Sequence, residues 1–106
     1  MQEYEIGFHR ERHTLARLEK EGFVCELDTK APGGTDIEAK ATPPGVSRLV
    51  QVKTALFPNE PAQLSPDGLR DIKSRAAKLG IDAYLAQVQI QGDGNLWRPI
   101  RWIKLG

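Results

Sequence analysis

Residues 34–39, Gly-Thr-Asp-Ile-Glu-Ala, and residues 49–54, Leu-Val-Gln-Val-Lys-Thr, decide the reading of this chain. Both are short runs of β type, and both carry polar residues where a core strand of a small protein should carry apolar ones. Side chains alternate between the faces of a strand. In the second run Val50, Val52 and Thr54 therefore share one face, and Gln51 and Lys53 share the other. An interior-facing lysine without a task is unusual.

The chemistry of the set follows from its donor types. A carboxylate on one strand, Asp36, precedes an amide-x-lysine, Gln51-Val52-Lys53, on the next. This is the layout of a metal-dependent site for phosphodiester cleavage. Carboxylate and amide oxygens suit Mg²⁺, and a lysine beside them can position water. A third candidate lies upstream. On a helical wheel of about 100° per residue, Tyr4, Phe8, Leu15 and Leu18 form one stripe with Glu11 in its middle. A carboxylate in a buried stripe needs a metal or a lysine as partner. Otherwise it reaches the helix edge or pairs with an arginine.

Composition sets the frame. At 106 residues, residues 1–106 are expected to form a single domain with a modest core. Hydrophobic content of 40% and charged content of 27% are ordinary for a globular protein. The one cysteine, Cys25, rules out an intrachain disulfide and a Cys-rich zinc site, and a buried inert thiol is its expected role. No apolar run reaches membrane-spanning length and no signal peptide opens the chain, so no membrane partner and a reduced, cytoplasmic setting are expected. The net charge of +1 does not announce a nucleic-acid binder. The distribution is more informative: Arg70, Lys73, Arg75 and Lys78 stand against Asp71, and Arg98, Arg101 and Lys104 cluster near the C-terminus. Either set could meet phosphates; taken singly, each is a solvated charge.

Periodicity and turn residues predict a first helix over about 2–21 with Gly22 as its stop. Strands follow over 23–27, 35–40 and 48–55. Ser65-Pro66-Asp67 opens a second helix through its cap, its proline and its dipole-matched aspartate, and Gly80 ends it. Leu69, Ile72, Ala76 and Leu79 share one face of that helix. A fourth strand is expected over 83–90, a turn over 91–95 and a fifth strand over 96–103, with Pro99 placing it at an edge. The predicted class is α/β, a mixed central sheet flanked by helices.

The order Glu11, Asp36, Gln51-Val52-Lys53 resembles the PD-(D/E)xK nuclease superfamily, and within it the archaeal-type Holliday junction resolvases. Glu11-Arg12, Leu15, Leu18 and Gly22-Phe23 look like their glutamate-bearing first helix and first strand. Gln63-Leu64-Ser65 to Ala76, Gly80, Ala83-Tyr84-Leu85-Ala86 and Trp97-Arg98-Pro99 look like their second helix and closing hairpin. The resemblance spans nearly the whole chain. It implies a restriction-endonuclease-like αβββαβ core and an Mg²⁺-dependent endonuclease, with Mn²⁺ as a substitute. It further implies a homodimer acting on four-way DNA junctions. The family usually has an acid where this chain has Gln51, and a proline where it has Thr35. Mrr-like restriction nucleases of the same superfamily typically use glutamine there, beside a Gly-Gly-x-Asp approach like Gly33-Gly34-Thr35-Asp36. A non-catalytic DNA-binding module is the alternative from another class.

On this reading Asp36, Gln51, the Val52 carbonyl and Glu11 hold the metal, Lys53 orients water or stabilises developing charge, and Arg12, Lys30, Arg70 and Lys73 contact DNA. Glu38 is an extra ligand or, more in keeping with its neighbours, a partner of Lys40 or Arg48. His9 and His13 have metal-compatible spacing but no evident third ligand, so surface or DNA contact is their expected role. Of Trp97 and Trp102, one is expected in the core and the other at an interface, with neither a base-stacking platform.

Overall fold

A chain of alternating strands and amphipathic helices must cover its sheet to bury it, and this one covers both faces of its centre. The computed structural model describes residues 12–28, 36–41 and 47–105. The elements are α1 (Arg12–Lys20), β1 (Phe23–Asp28), β2 (Asp36–Ala41), β3 (Arg48–Leu56), α2 (Pro66–Leu79), β4 (Asp82–Ile90) and β5 (Arg101–Leu105). Glu11 and Lys30 lie outside the described residues, as does the stretch of the first helix before Arg12.

The five strands form one sheet in sequence order, β1-β2-β3-β4-β5. The pairs β1–β2, β2–β3 and β4–β5 are antiparallel, and β3–β4 is parallel. A parallel neighbour cannot be reached by a tight turn, so α2 lies in that connection. The α/β class with a mixed, helix-flanked sheet is therefore what the chain adopts.

The two helices take opposite faces. Leu18 of α1 packs with Ile37, Ala39, Val50, Val52, Ala86, Val88 and Ile90. Ile72 and Ala76 of α2 pack with Leu49 and Ala83. Strand β4 is buried from Leu85 to Ile90 because both of its sides are covered. Cys25, half-buried, packs against the α1 side, and burial, then the charge of Glu19, push its thiol up from its usual range. That keeps it protonated and unreactive at neutral pH.

The capping signals act as written. Ser65 adopts an extended conformation and its Oγ accepts from Gly68 N–H at 3.1 Å. At the far end Gly80 has φ +70°, and Ile81 N–H donates to the Ala76 carbonyl at 3.0 Å. Gly22, at φ +96°, ends α1 in the same left-handed way. Leu79 departs from the expected burial: it is 51% exposed at the last position of α2.

The fifth strand is the main correction. The turn over 91–95 is present, with Gln91 N–H donating to the Asn95 carbonyl at 2.7 Å and Gly94 at φ +86°. Leu96 then makes a single bridge to Ile90, and the chain leaves the ladder until Arg101. Pro99 has no N–H to donate, so a strand running through it would lose a rung. The paired segment is Arg101–Leu105, opposite Gln87 to Ala83, and it does form an edge.

Removing the Ser65 hydroxyl should cost about 1 kcal/mol. In a protein of this size Ser65→Ala should lower Tm by about 4–8 °C, with an unchanged circular dichroism spectrum at low temperature.

Candidate active site

The register places position 36 directly opposite Gln51 across β2 and β3. On the other side of β3, Gln51 pairs with Leu85 and Lys53 with Gln87 of β4. Directly paired positions share a sheet face. Positions 36, 38, 49, 51, 53, 85 and 87 thus lie on the face that α2 covers at its Leu49–Ala83 end.

Gln51 is the unusual residue of this face. It is 1% exposed, and among the described residues neither its Oε1 nor its Nε2 has a hydrogen-bond partner. Leaving a buried amide unpaired costs about 1–3 kcal/mol, so such a group calls for a partner such as a water, an ion or a ligand. Lys53 stands two residues on, half-buried, on the same face. It is paired in register with Gln87, itself 3% exposed.

Gln51 stands at the last described pair of the β2–β3 ladder, opposite Asp36. The donor types gathered around this pair suit a hard divalent cation: an amide oxygen with no donor among the described residues and the position of an aspartate. Among the described residues no three His, Cys, Asp or Glu side chains gather as a metal site. The carboxylates of the anticipated set, Glu11 and Asp36, lie outside the described side chains.

Helix α1 packs on the opposite face of the sheet from Gln51, and its N-terminal end reaches the turn after β4. The Arg12 guanidinium donates to the Gly94 carbonyl at 3.0 Å, and His13 Nε2 donates to the same carbonyl at 2.7 Å. Gly94 lies in the turn just beyond the C-terminal end of β4, toward which β3 also runs past Gln51.

Two residues were not singled out from the sequence. Gln87 Nε2 donates to the carbonyls of Ala62 at 3.2 Å and Pro61 at 3.4 Å, and Gln89 Nε2 donates to Asn59 at 2.7 Å. These amides tie the irregular segment after β3 to the site face. The signal was present: Ala86-Gln87-Val88-Gln89-Ile90 alternates polar and apolar in a strand with no solvent side.

Other anticipated contacts fall differently. Lys40 pairs with Glu26 at 3.4 Å. Arg48 lies on the α1 face, sandwiched between Phe23 and Tyr84 with its guanidinium carbon 5.1 and 4.8 Å from the ring centres. Arg48 is thus on the wrong face to be Glu38's partner. Glu38 instead lines a groove of about 270 Å³ with Leu49, Arg75, Lys78 and Leu79. Arg70 pairs with Asp67, and Arg75 with Asp71 at 2.8 Å. Arg98 pairs with Glu60 at 2.7 Å. Lys73 lines a cavity of about 500 Å³ beside Lys104 and Asp82. No described helix is long and apolar enough to cross a membrane.

The chain matches no protein-family model and no curated protein. Among solved structures it is similar to Hjc of Archaeoglobus fulgidus, a Holliday junction resolvase from an archaeal hyperthermophile. The identity is 22%, the TM-score is 0.68, and the match covers 93% of this chain and 72% of that one. The resemblance to archaeal-type resolvases thus holds at the level of fold, across almost the whole chain.

The orphaned amide makes a prediction without any assay of activity. Gln51→Met keeps the volume and removes the unpaired polar atoms, so it should stabilise the metal-free protein by about 1 kcal/mol and raise Tm. Gln51→Glu should destabilise the metal-free protein and enlarge the Tm rise produced by added Mg²⁺. Thermal melts with EDTA and with Mg²⁺ read both effects. A Gln51→Met variant less stable than the parent would mean that the amide has a protein partner.

Proposed function

We propose that the chain is a metal-dependent, structure-selective DNA endonuclease of the Holliday junction resolvase type, hydrolysing phosphodiester bonds. The observation that carries this reading is the fully buried Gln51 amide, unpartnered at both polar atoms among the described residues, opposite position 36 and two residues from Lys53. The fold shared with the Archaeoglobus resolvase supports it.

In this reading Asp36, Gln51 and the Val52 carbonyl hold Mg²⁺, with Mn²⁺ able to replace it. Glu11, which precedes Arg12 at the start of α1, is proposed to complete the set on the family resemblance. A bound divalent cation supplies Lewis acidity at the phosphate and a lowered pKa for water. Lys53 orients that water in line with the scissile bond and stabilises negative charge as it grows on the phosphate oxygens. Water adds to phosphorus, the bond to the leaving oxygen breaks, and that oxygen takes up a proton. Gln51 lacks the charge of the acid usual in the family, so it ligates through its dipole alone.

Arg12, Lys30, Arg70 and Lys73 are proposed to contact phosphates. A homodimer fits the substrate, because two symmetric strands of a four-way junction are cut and a twofold assembly presents two sites. The glutamine at position 51 also suits an Mrr-like nuclease, and the choice of DNA separates the two readings.

Incubation with labelled four-way junction, linear duplex and flap DNA in Mg²⁺ is the test. Cleavage should favour the junction, stop in EDTA, and fall about a hundredfold or more in Asp36→Ala and Lys53→Ala with folding intact. Parental rates in either variant would overturn the mechanism. Preference for linear duplex would favour the Mrr-like nuclease.

A further inference from the structure

Just past the end of β3 stands an exposed aromatic ledge. Phe57 and Trp97 are 44% and 49% exposed, with ring centres 4.0 Å apart and planes tilted by 32°. Both are anchored by the end of β4. Phe57 N–H donates to the Ile90 carbonyl at 2.8 Å, and Trp97 N–H to the Gln89 carbonyl at 2.8 Å. The rings are therefore held in place by backbone and do not depend on each other alone. Trp97 is outside any strand, and Trp102 is the tryptophan that packs on the core.

Three observations bear on what such a ledge meets. The first is size. Two half-exposed rings offer on the order of 200 Å², against about 800 Å² per partner in a stable protein interface. The two rings lie against each other, so what they leave open is the outer face of one ring, room for a single flat group to extend the stack. The second is position. Phe57 lies just past the end of β3, four residues beyond Lys53, within about 13 Å of it at 3.3 Å per residue. A DNA bound at Gln51 and Lys53 passes within reach of it. The third is charge. Arg98 follows Trp97 directly, paired with Glu60 at the rim, and the exposed Arg101 lies just beyond.

We propose that the Phe57–Trp97 ledge stacks on a base face exposed at a discontinuity in DNA, such as the branch of a junction. This rests on the nuclease reading and names the feature by which that site would choose its substrate. Bases inside a continuous duplex have both faces stacked and offer the ledge nothing. Branched or unpaired DNA exposes such faces, and each base stacked on an aromatic ring contributes enough to change affinity several-fold or more. Phosphate contacts position the DNA backbone but do not sense an exposed base face.

The test measures binding in EDTA to a four-way junction with long arms and to a covalently closed circular duplex, which offers neither ends, loops nor branches. The parent should prefer the junction. Phe57→Ala and Trp97→Ala should each weaken junction binding about tenfold and leave closed-duplex binding nearly unchanged, while Phe57→Tyr and Trp97→Phe should retain the preference. In a Trp102→Phe background Trp97 is the sole tryptophan, and its emission should be quenched by the junction and not by the closed duplex. Unaltered preference in the alanine variants, or unquenched Trp97, overturns the proposal. Loss of a dimer in those variants by sedimentation also overturns it and assigns the ledge to a second copy of the chain. If Trp97→Ala does not fold, Phe57→Ala, at an exposed turn, decides. A parent that prefers the junction but never cleaves it in Mg²⁺ would refute the nuclease reading and leave the ledge standing; a cleaving parent with indifferent variants would do the reverse.

Discussion

A strand at the centre of a sheet with a helix on each face has no wet side, and β3 is such a strand. Its Val50 and Val52 face α1, and its Leu49 faces α2. Everything polar on it must be satisfied by the protein or by a ligand. Most of the architecture serves that requirement. The Gln87 and Gln89 amides on the neighbouring strand find carbonyls in the segment after β3. Gln51 finds none among the described residues, although it is as deeply buried as the core leucines. That contrast within one sheet face is what singles Gln51 out from the two amides with a structural task. All three are glutamines in strands, and only their partners differ.

Much of this was legible in the sequence because it is local. Gly22, Ser65-Pro66 and Gly80 end or begin helices through their own backbone preferences, and they do so in the structure. The alternation in 49–54 placed Gln51 and Lys53 on one face and the valines on the other, as the register and packing have it. What could not be read was non-local. Nothing in the spacing told that α1 and α2 take opposite faces, or that Arg48 turns away from Glu38 to sit between Phe23 and Tyr84. The run 96–103 has strand-like composition, but Pro99 interrupts it and pairing resumes only where β4 offers partners at Gln87. Trp97 and Phe57, forty residues apart in sequence, meet through the ends of β4, so no periodicity could have joined them.

The site also shows how a small sheet tolerates a costly group. An unpaired buried amide is a large fraction of the stability of a protein this size. It is offset by the continuous burial along β4, whose Leu85 pairs with Gln51, and by the capped α2. Stability is supplied by one set of residues and lost at another.

The order of the sheet has a consequence for how the molecule comes together. Each strand lies beside its sequence neighbour, and all pairings but one are antiparallel neighbours that can zip from short connections. The exception is β3 with β4, the longest ladder, which must wait for α2 to span the gap. Closing that larger loop is the slower entropic step. Asp36 can come opposite Gln51 in an early hairpin, open to water on both faces. The polar row from Lys53 to Gln87, and the ties from Gln87 and Gln89 to the following segment, arrive only with the parallel ladder. Drying of the amide and closure of the topology are thus one event, and a chain still on the ribosome or partly unfolded carries the residues of the site without its environment.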